Sequence, residues 1–386
     1  MADIVSDECA DVKKRKPDTT QCSLIATKSL FDAKLPPELK LKIFSYLNQR
    51  EKGQCMFVST EWNSIIRSPE LWQHVNLREF RLCYGHGDTS GSTQVYDGPD
   101  TAMDTSSYSQ CTQQCYGSYI NRIENYISFL IDIQPKVKRL EFSFDLIEDN
   151  WMATVDRLFH LNMSELRYAD INWRDTPTKP SYLSSPNQNL NDVKYKTRRR
   201  CRKFLNFLEE FVEEAPNLQS LVIPFEWSSR SMKALLSLKR LKNLALEKYF
   251  VFQRPVQEVF NSLGQMPCLE RLVLEIWTPS SADMSKYSII SPSLRYLDLS
   301  QCRGFYLQSV DLPLLEVFID ERKPWNGPLT FPSQINLPCL GNILREGAPK
   351  LLRINTSVIT SMESEAVEAI LKTICPCRHH KSSITM

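Results

Sequence analysis

Four stretches of the chain share one spacing, and that spacing limits the fold more than any other feature. They are Leu218, Leu221, Ile223; Leu241, Leu244, Leu246; Leu269, Leu272, Leu274; and Leu294, Leu297, Leu299. Each reads apolar-x-x-apolar-x-apolar, and successive copies start 23, 28 and 25 residues apart. Val137, Leu140 and Phe142 form an earlier copy, and Leu166, Ala169 and Ile171 another. Weaker copies fall at Leu314, Val317, Ile319 and at Leu351, Ile354. Helical patterns fill gaps such as 231–241 and 256–263. A strand and a helix recurring every twenty-odd residues is the signature of a solenoid, in which each unit needs its neighbours to bury its apolar face.

The copy at Leu294 resembles the leucine-rich repeat, with Cys302 standing where that family places an asparagine or cysteine that bonds the turn. Other copies carry Tyr249 or Trp277 there, so the repeats are irregular. An ordinary α/β sheet with crossover helices is the competing architecture. In a solenoid the triplet residues point into the stack, and those between them face a concave sheet. The expected concave positions are Arg139, Glu141, Ser220, Val222, Asn243, Glu247, Arg271, Val273, Glu275, Tyr296, Asp298, Glu316, Phe318, Asp320, Arg353 and Asn355. Among them Glu247, Glu275, Asp298, Glu316 and Asp320 read as an acidic ladder. With Tyr296 and Phe318 it would suit a target segment carrying basic residues and an apolar anchor. Ordinary solvated strand positions are the plainer reading. A long curved surface without a pocket suits a protein partner better than a small substrate.

Ahead of the repeats lies a compact stretch, 35–77. Pro36 and Pro37 stop any earlier helix and fit a first helical turn. Leu39, Ile43, Phe44 and Leu47 share one helical face. A second helix holds Cys55, Met56 and Val58, a third starts near Trp62 with Ile65 and Ile66, and Pro69 opens a new turn. Domains below ~40 residues usually need a staple or a partner, so one side of this three-helix bundle is expected to meet another protein; a self-contained mini-core is the bland alternative.

The run Leu35-Pro36, Glu38-Leu39, Ile43-Phe44, Tyr46-Leu47, Val58, Trp62, then Ser68 to Trp72 resembles the F-box family. The resemblance implies docking to the small adaptor of an SCF-type ubiquitin ligase and, through it, to a cullin. It implies that Leu35, Pro36, Leu39, Ile43, Phe44 and Leu47 contact the adaptor or support the contact, and that Val58 and Trp62 hold the bundle together. One departure is Lys52-Gly53 after Glu51, where the family usually has a leucine pair. A lysine there costs apolar area, and a mid-helix glycine costs ~1 kcal/mol relative to alanine.

The expected fold class is therefore α/β: a three-helix F-box bundle, then an irregular leucine-rich-repeat solenoid of parallel strands with outer helices. The domains read 1–30 polar disordered tail, 31–80 F-box, 81–118 flexible insert poor in aliphatics, 119–375 solenoid, 376–386 tail. Net charge is +2, against general nucleic-acid binding. No run approaches ~18 apolar residues, so no membrane span is expected. Twelve scattered cysteines without paired spacings, and no leader ahead of them, point to reduced thiols in cytoplasm or nucleus. Lys13, Lys14, Arg15 and Lys16 form a nuclear-import candidate or a solvated charge run. Arg198 to Lys203 is a basic run leading into a helix whose acidic end at Glu213-Glu214 opposes the helix dipole, so it is expected either in the preceding loop, solvated, or held to bind phosphate or an acidic partner. Cys375, Cys377, His379 and His380 crowd too closely around Pro376 to wrap a tetrahedral ion. The five histidines sit in no nucleophile or metal motif. No metal, cofactor or catalytic residue is expected, and the chain reads as a non-catalytic substrate receptor, or alternatively as an interaction scaffold outside any ligase with the bundle as an end cap.

Overall fold

The computed structural model describes residues 35–80, 113–143, 149–172, 190–248, 255–276, 285–321, 338–361 and 364–374. The basic run at 13–16, the tails and most of the 81–118 insert, and the Cys375–His380 cluster lie outside these residues.

Three short helices come first: α1 (Pro37–Phe44), α2 (Gln49–Cys55) and α3 (Thr60–Ile66). Asn48 caps α2 in a reciprocal box with Glu51, and Ser59 caps α3 through the Trp62 N–H, which satisfies N–H groups that a helix start leaves unpaired. A 3-10 turn at Pro69–Trp72 leads into β1 (His74–Asn76), and another at Leu77–Glu79 follows it. Then come α4 (Gln113–Ile133), β2 (Arg139–Phe142), α5 (Asp149–Leu158), β3 (Tyr168–Ile171), α6 (Leu190–Glu214), β4 (Ser220–Phe225), α7 (Ser229–Leu235), β5 (Asn243–Lys248), α8 (Gln257–Leu263) and β6 (Arg271–Leu274). The chain continues through β7 (Ser285–Ile290), β8 (Tyr296–Asp298), β9 (Phe305–Asp311), β10 (Val317–Ile319), α9 (Leu340–Gly347), β11 (Arg353–Ile354), β12 (Ser357–Val358) and α10 (Glu365–Ile374).

Ten strands form one sheet in the order β1-β2-β3-β4-β5-β6-β8-β10-β11-β12, parallel throughout except for the last pair. The triplets are its inner face. Leu140, Ala169, Leu221, Leu244, Leu272 and Leu297 lie opposite one another in register and are each at most 1% exposed. Every parallel step needs a crossover, and most crossovers are helices. Two are strands: β7 and β9 pair in a separate parallel ribbon on the outer side. In β7 burial alternates, with Tyr287 and Ile289 buried and Ser288 and Ile290 more exposed, the period of two of a strand. Gly347 ends α9 where an added Cβ would stand 1.8 Å from the Val310 carbonyl oxygen, so only glycine fits against that ribbon. Cys302 is buried and its Sγ donates to the Leu274 carbonyl at 3.2 Å, tying two turns together.

Two sequence expectations shift by placement. The last strong triplet is Leu315–Phe318 rather than Leu314–Val317–Ile319. Phe318 pairs in register with Leu297 and is fully buried, and Val317 and Ile319 align with Tyr296 and Asp298 on the concave face. The paired leucines at 314 and 315 allow either phase, and a slip of one residue exchanges the two faces of a strand. The basic run Arg198–Lys203 lies well inside α6, not in a loop before it. It is beyond the first turn, where the dipole acts, so the expected conflict does not arise.

Candidate functional site

The bundle buries two lysines beside its apolar interior of Phe44 and Ile66. Lys40 is 3% exposed and ion-paired to Glu61, and Lys52 is 8% exposed. Leu39, Ile43, Tyr46, Phe57 and Val58 are instead 43–88% exposed. Half of the ten exposed large apolar side chains among the described residues therefore fall between positions 39 and 58. That density on one small unit exceeds ordinary surface scatter.

Local structure explains this arrangement. Phe44 turns inward and meets Trp62 edge-on, with centroids 5.2 Å apart. Lys52 runs inward too: its ammonium donates to the Leu71 carbonyl at 2.8 Å and stands 5.5 Å from the Trp72 ring. Burial pushes its pKa below the ordinary value, with Glu79 acting in the other direction. A cavity of about 240 Å³, lined by Gln49, Lys52, Glu70 and His74 among others, keeps that charge near polar groups. Lys52 thus takes no area from the outer face, contrary to the cost expected from sequence. Gly53 has open space around it.

Of the residues expected to dock or hold the bundle, Leu39 and Ile43 are exposed, Leu35 and Leu47 half-buried, and Pro36 exposed. Phe44 and Trp62 form the interior contact. Val58, expected inside, is 61% exposed and belongs with Phe57 on the outer face. Tyr46 belongs to the F-box-like run but not to the docking residues it implies, and Phe57 belongs to neither; both lie in turns after helix ends, where no period marks them.

Trp72 joins the bundle to the sheet. Its indole N–H donates to the Ile66 carbonyl at 2.7 Å, and its ring meets Phe129 of α4 edge-on at 4.9 Å. Trp72, Val75 and Leu77 repeat the triplet spacing, and β1 pairs in parallel with β2. The bundle therefore ends in the first strand of the sheet, a copy that its position inside the helical motif concealed.

The concave face does not carry the expected acidic ladder. Glu275 is 6% exposed and accepts the Lys248 backbone N–H; Asp320 is 4% exposed. Glu316 pairs with Arg295, Asp298 accepts the backbone N–H and the hydroxyl of Ser300, and Glu247 is half-buried. Phe318 faces the core. At the other end Glu141 accepts from Arg139 and His74, and Arg78 grips the Asp170 carboxylate through two nitrogens at 2.8 and 3.0 Å. Burial works to raise the Glu141 carboxyl, and the bonds from Arg139 and His74 outweigh it, holding the pKa below the usual carboxylate range. Among the described residues no group of three His, Cys, Asp or Glu could hold a metal ion, and no helix is long and apolar enough to cross a membrane.

The F-box-like family model matches residues 32–78. F-box/LRR-repeat protein 5 of Mus musculus is 39% identical over 71 residues, 18% of this chain and 9% of the relative. The Xenopus tropicalis protein of that name is 33% identical over 94 residues, 24% and 11% of the two chains. F-box/WD repeat-containing protein 8 of Mus musculus is 44% identical over 57 residues, 15% and 8%. The chain spans about a tenth of the length of these relatives. The helical bundle is an F-box-like domain, and the other described residues form a leucine-rich-repeat-like parallel sheet.

Proposed function

We propose that this chain is a substrate receptor of an SCF-type ubiquitin ligase, with the F-box docking to the adaptor and thereby to a cullin, and the sheet holding a target protein. The observation that carries the reading is the outward set Leu39, Ile43, Tyr46, Phe57 and Val58 on a bundle that buries Lys40 and Lys52. An end cap for a free-standing scaffold would turn Leu39 toward the first repeat; here it is half exposed. The receptor contributes no bond-making group. It raises the effective concentration of target lysines near a conjugating enzyme held by other subunits.

The test is co-expression with adaptor and cullin. Wild type is expected to co-purify with both, and a Leu35→Ala, Pro36→Ala double variant to lose both while remaining folded. A folded wild type that retains neither overturns the reading.

A further inference from the structure

Two arginine–tyrosine stacks stand on the same register row of the concave face. Arg139 on β2 lies 3.8 Å from the ring centroid of Tyr168 on β3, and Arg271 on β6 lies 3.7 Å from that of Tyr296 on β8. The stacks differ two residues further along each arginine strand. Glu141 follows Arg139 and bonds it. Val273 holds the equivalent position after Arg271, which is exposed and has no carboxylate partner among the described residues. Its nearest acidic neighbour on the adjoining strand, Asp298, is occupied by Ser300 and the Tyr296 hydroxyl. Beside the open stack, Val222, Ala245 and Val273 align across β4, β5 and β6 as a half-buried apolar floor, ~10 Å wide at ~4.8 Å per strand.

We infer that Arg271, stacked on Tyr296 above the Val222–Ala245–Val273 floor, anchors an extended segment of the target protein through an Asp or Glu side chain set beside a small aliphatic residue. A guanidinium stacked on a ring and bonded to its hydroxyl, as Arg271 is to Tyr296, still has N–H groups to offer outward, and these match a carboxylate. The floor is one side chain deep and level with the sheet, so it takes an extended chain rather than a compact ligand. The closed stack at Arg139 is the internal control: the same pair, already neutralised. The inference rests on the receptor reading, because it treats this face as the target side.

The test uses the full chain purified with the adaptor and a displayed dodecapeptide library, with binding of selected peptides measured by fluorescence anisotropy. Selection is expected to enrich Asp or Glu beside Val, Ala or Ile. Affinity is expected to fall roughly tenfold to hundredfold in Arg271→Gln, and similarly in Val273→Glu, which rebuilds the closing pair of β2. Arg139→Gln is expected to leave affinity unchanged. No acidic preference, or binding that survives both β6 variants, overturns the inference; so does selection of phosphoserine in preference to Asp and Glu. Adaptor retention is read in the same samples. Its absence in wild type strikes the receptor reading, whereas adaptor retention without acidic selection strikes this inference alone.

Discussion

Lys52 is the residue whose placement changes the argument most. The resemblance to the F-box family marks it as a loss of apolar area; the fold puts it inside as a brace between α2 and the turn at Leu71. Lys52→Ala removes that bond and leaves a buried carbonyl unpaired, so urea unfolding should report a loss of about 1–3 kcal/mol. The pH dependence has a definite sign. The folded chain holds this proton less tightly than the unfolded chain, so the penalty of burying the charge applies at lower pH and is relieved as pH rises from the folded pKa toward 10.5. Wild type should therefore gain stability relative to Lys52→Met over that window. Glu141 has the opposite sign. Its lowered pKa contributes stability above the ordinary carboxylate value, lost as pH falls through the folded one. The difference in stability between wild type and Glu141→Gln should shrink on acidification below about pH 4.5. A seven-residue helix with polar residues on several sides does not reveal which of them turns inward, so Lys52 was not legible as a core residue.

At the scale of elements, the inner face of the sheet was readable because period and apolar identity agree over many copies. It failed where they did not. Leu314-Leu315 offered two registers, and the chain takes the one that buries Phe318. Phe318→Ala should cost about 3–5 kcal/mol, and Val317→Ala below about 1 kcal/mol; chemical denaturation separates the two phases directly. The outer ribbon of β7 and β9 lies outside the triplet spacing, which marks only the strands of the main sheet. The basic run inside α6 was misplaced because an end-effect of the helix was applied to its middle.

For the whole molecule, one sheet runs from the F-box into the repeats through β1, and Trp72 packs between α3 and α4. The bundle and first repeats should therefore lose structure together, and Trp72→Ala, costing about 3–5 kcal/mol, should destabilise both. This continuity ties the bundle to one end of the sheet. The general architecture and the F-box-like stretch were legible in the sequence; the join was not, since the residues that form it belong to both patterns at once.

The most direct measurement is adaptor affinity for wild type, a Tyr46→Ala, Phe57→Ala double variant and Lys52→Met. The account predicts binding by wild type, a loss of about tenfold or more in the double variant with unchanged thermal stability, and near wild-type affinity in Lys52→Met. Affinity that is indifferent to Tyr46 and Phe57, or absent in a folded wild type, would contradict it.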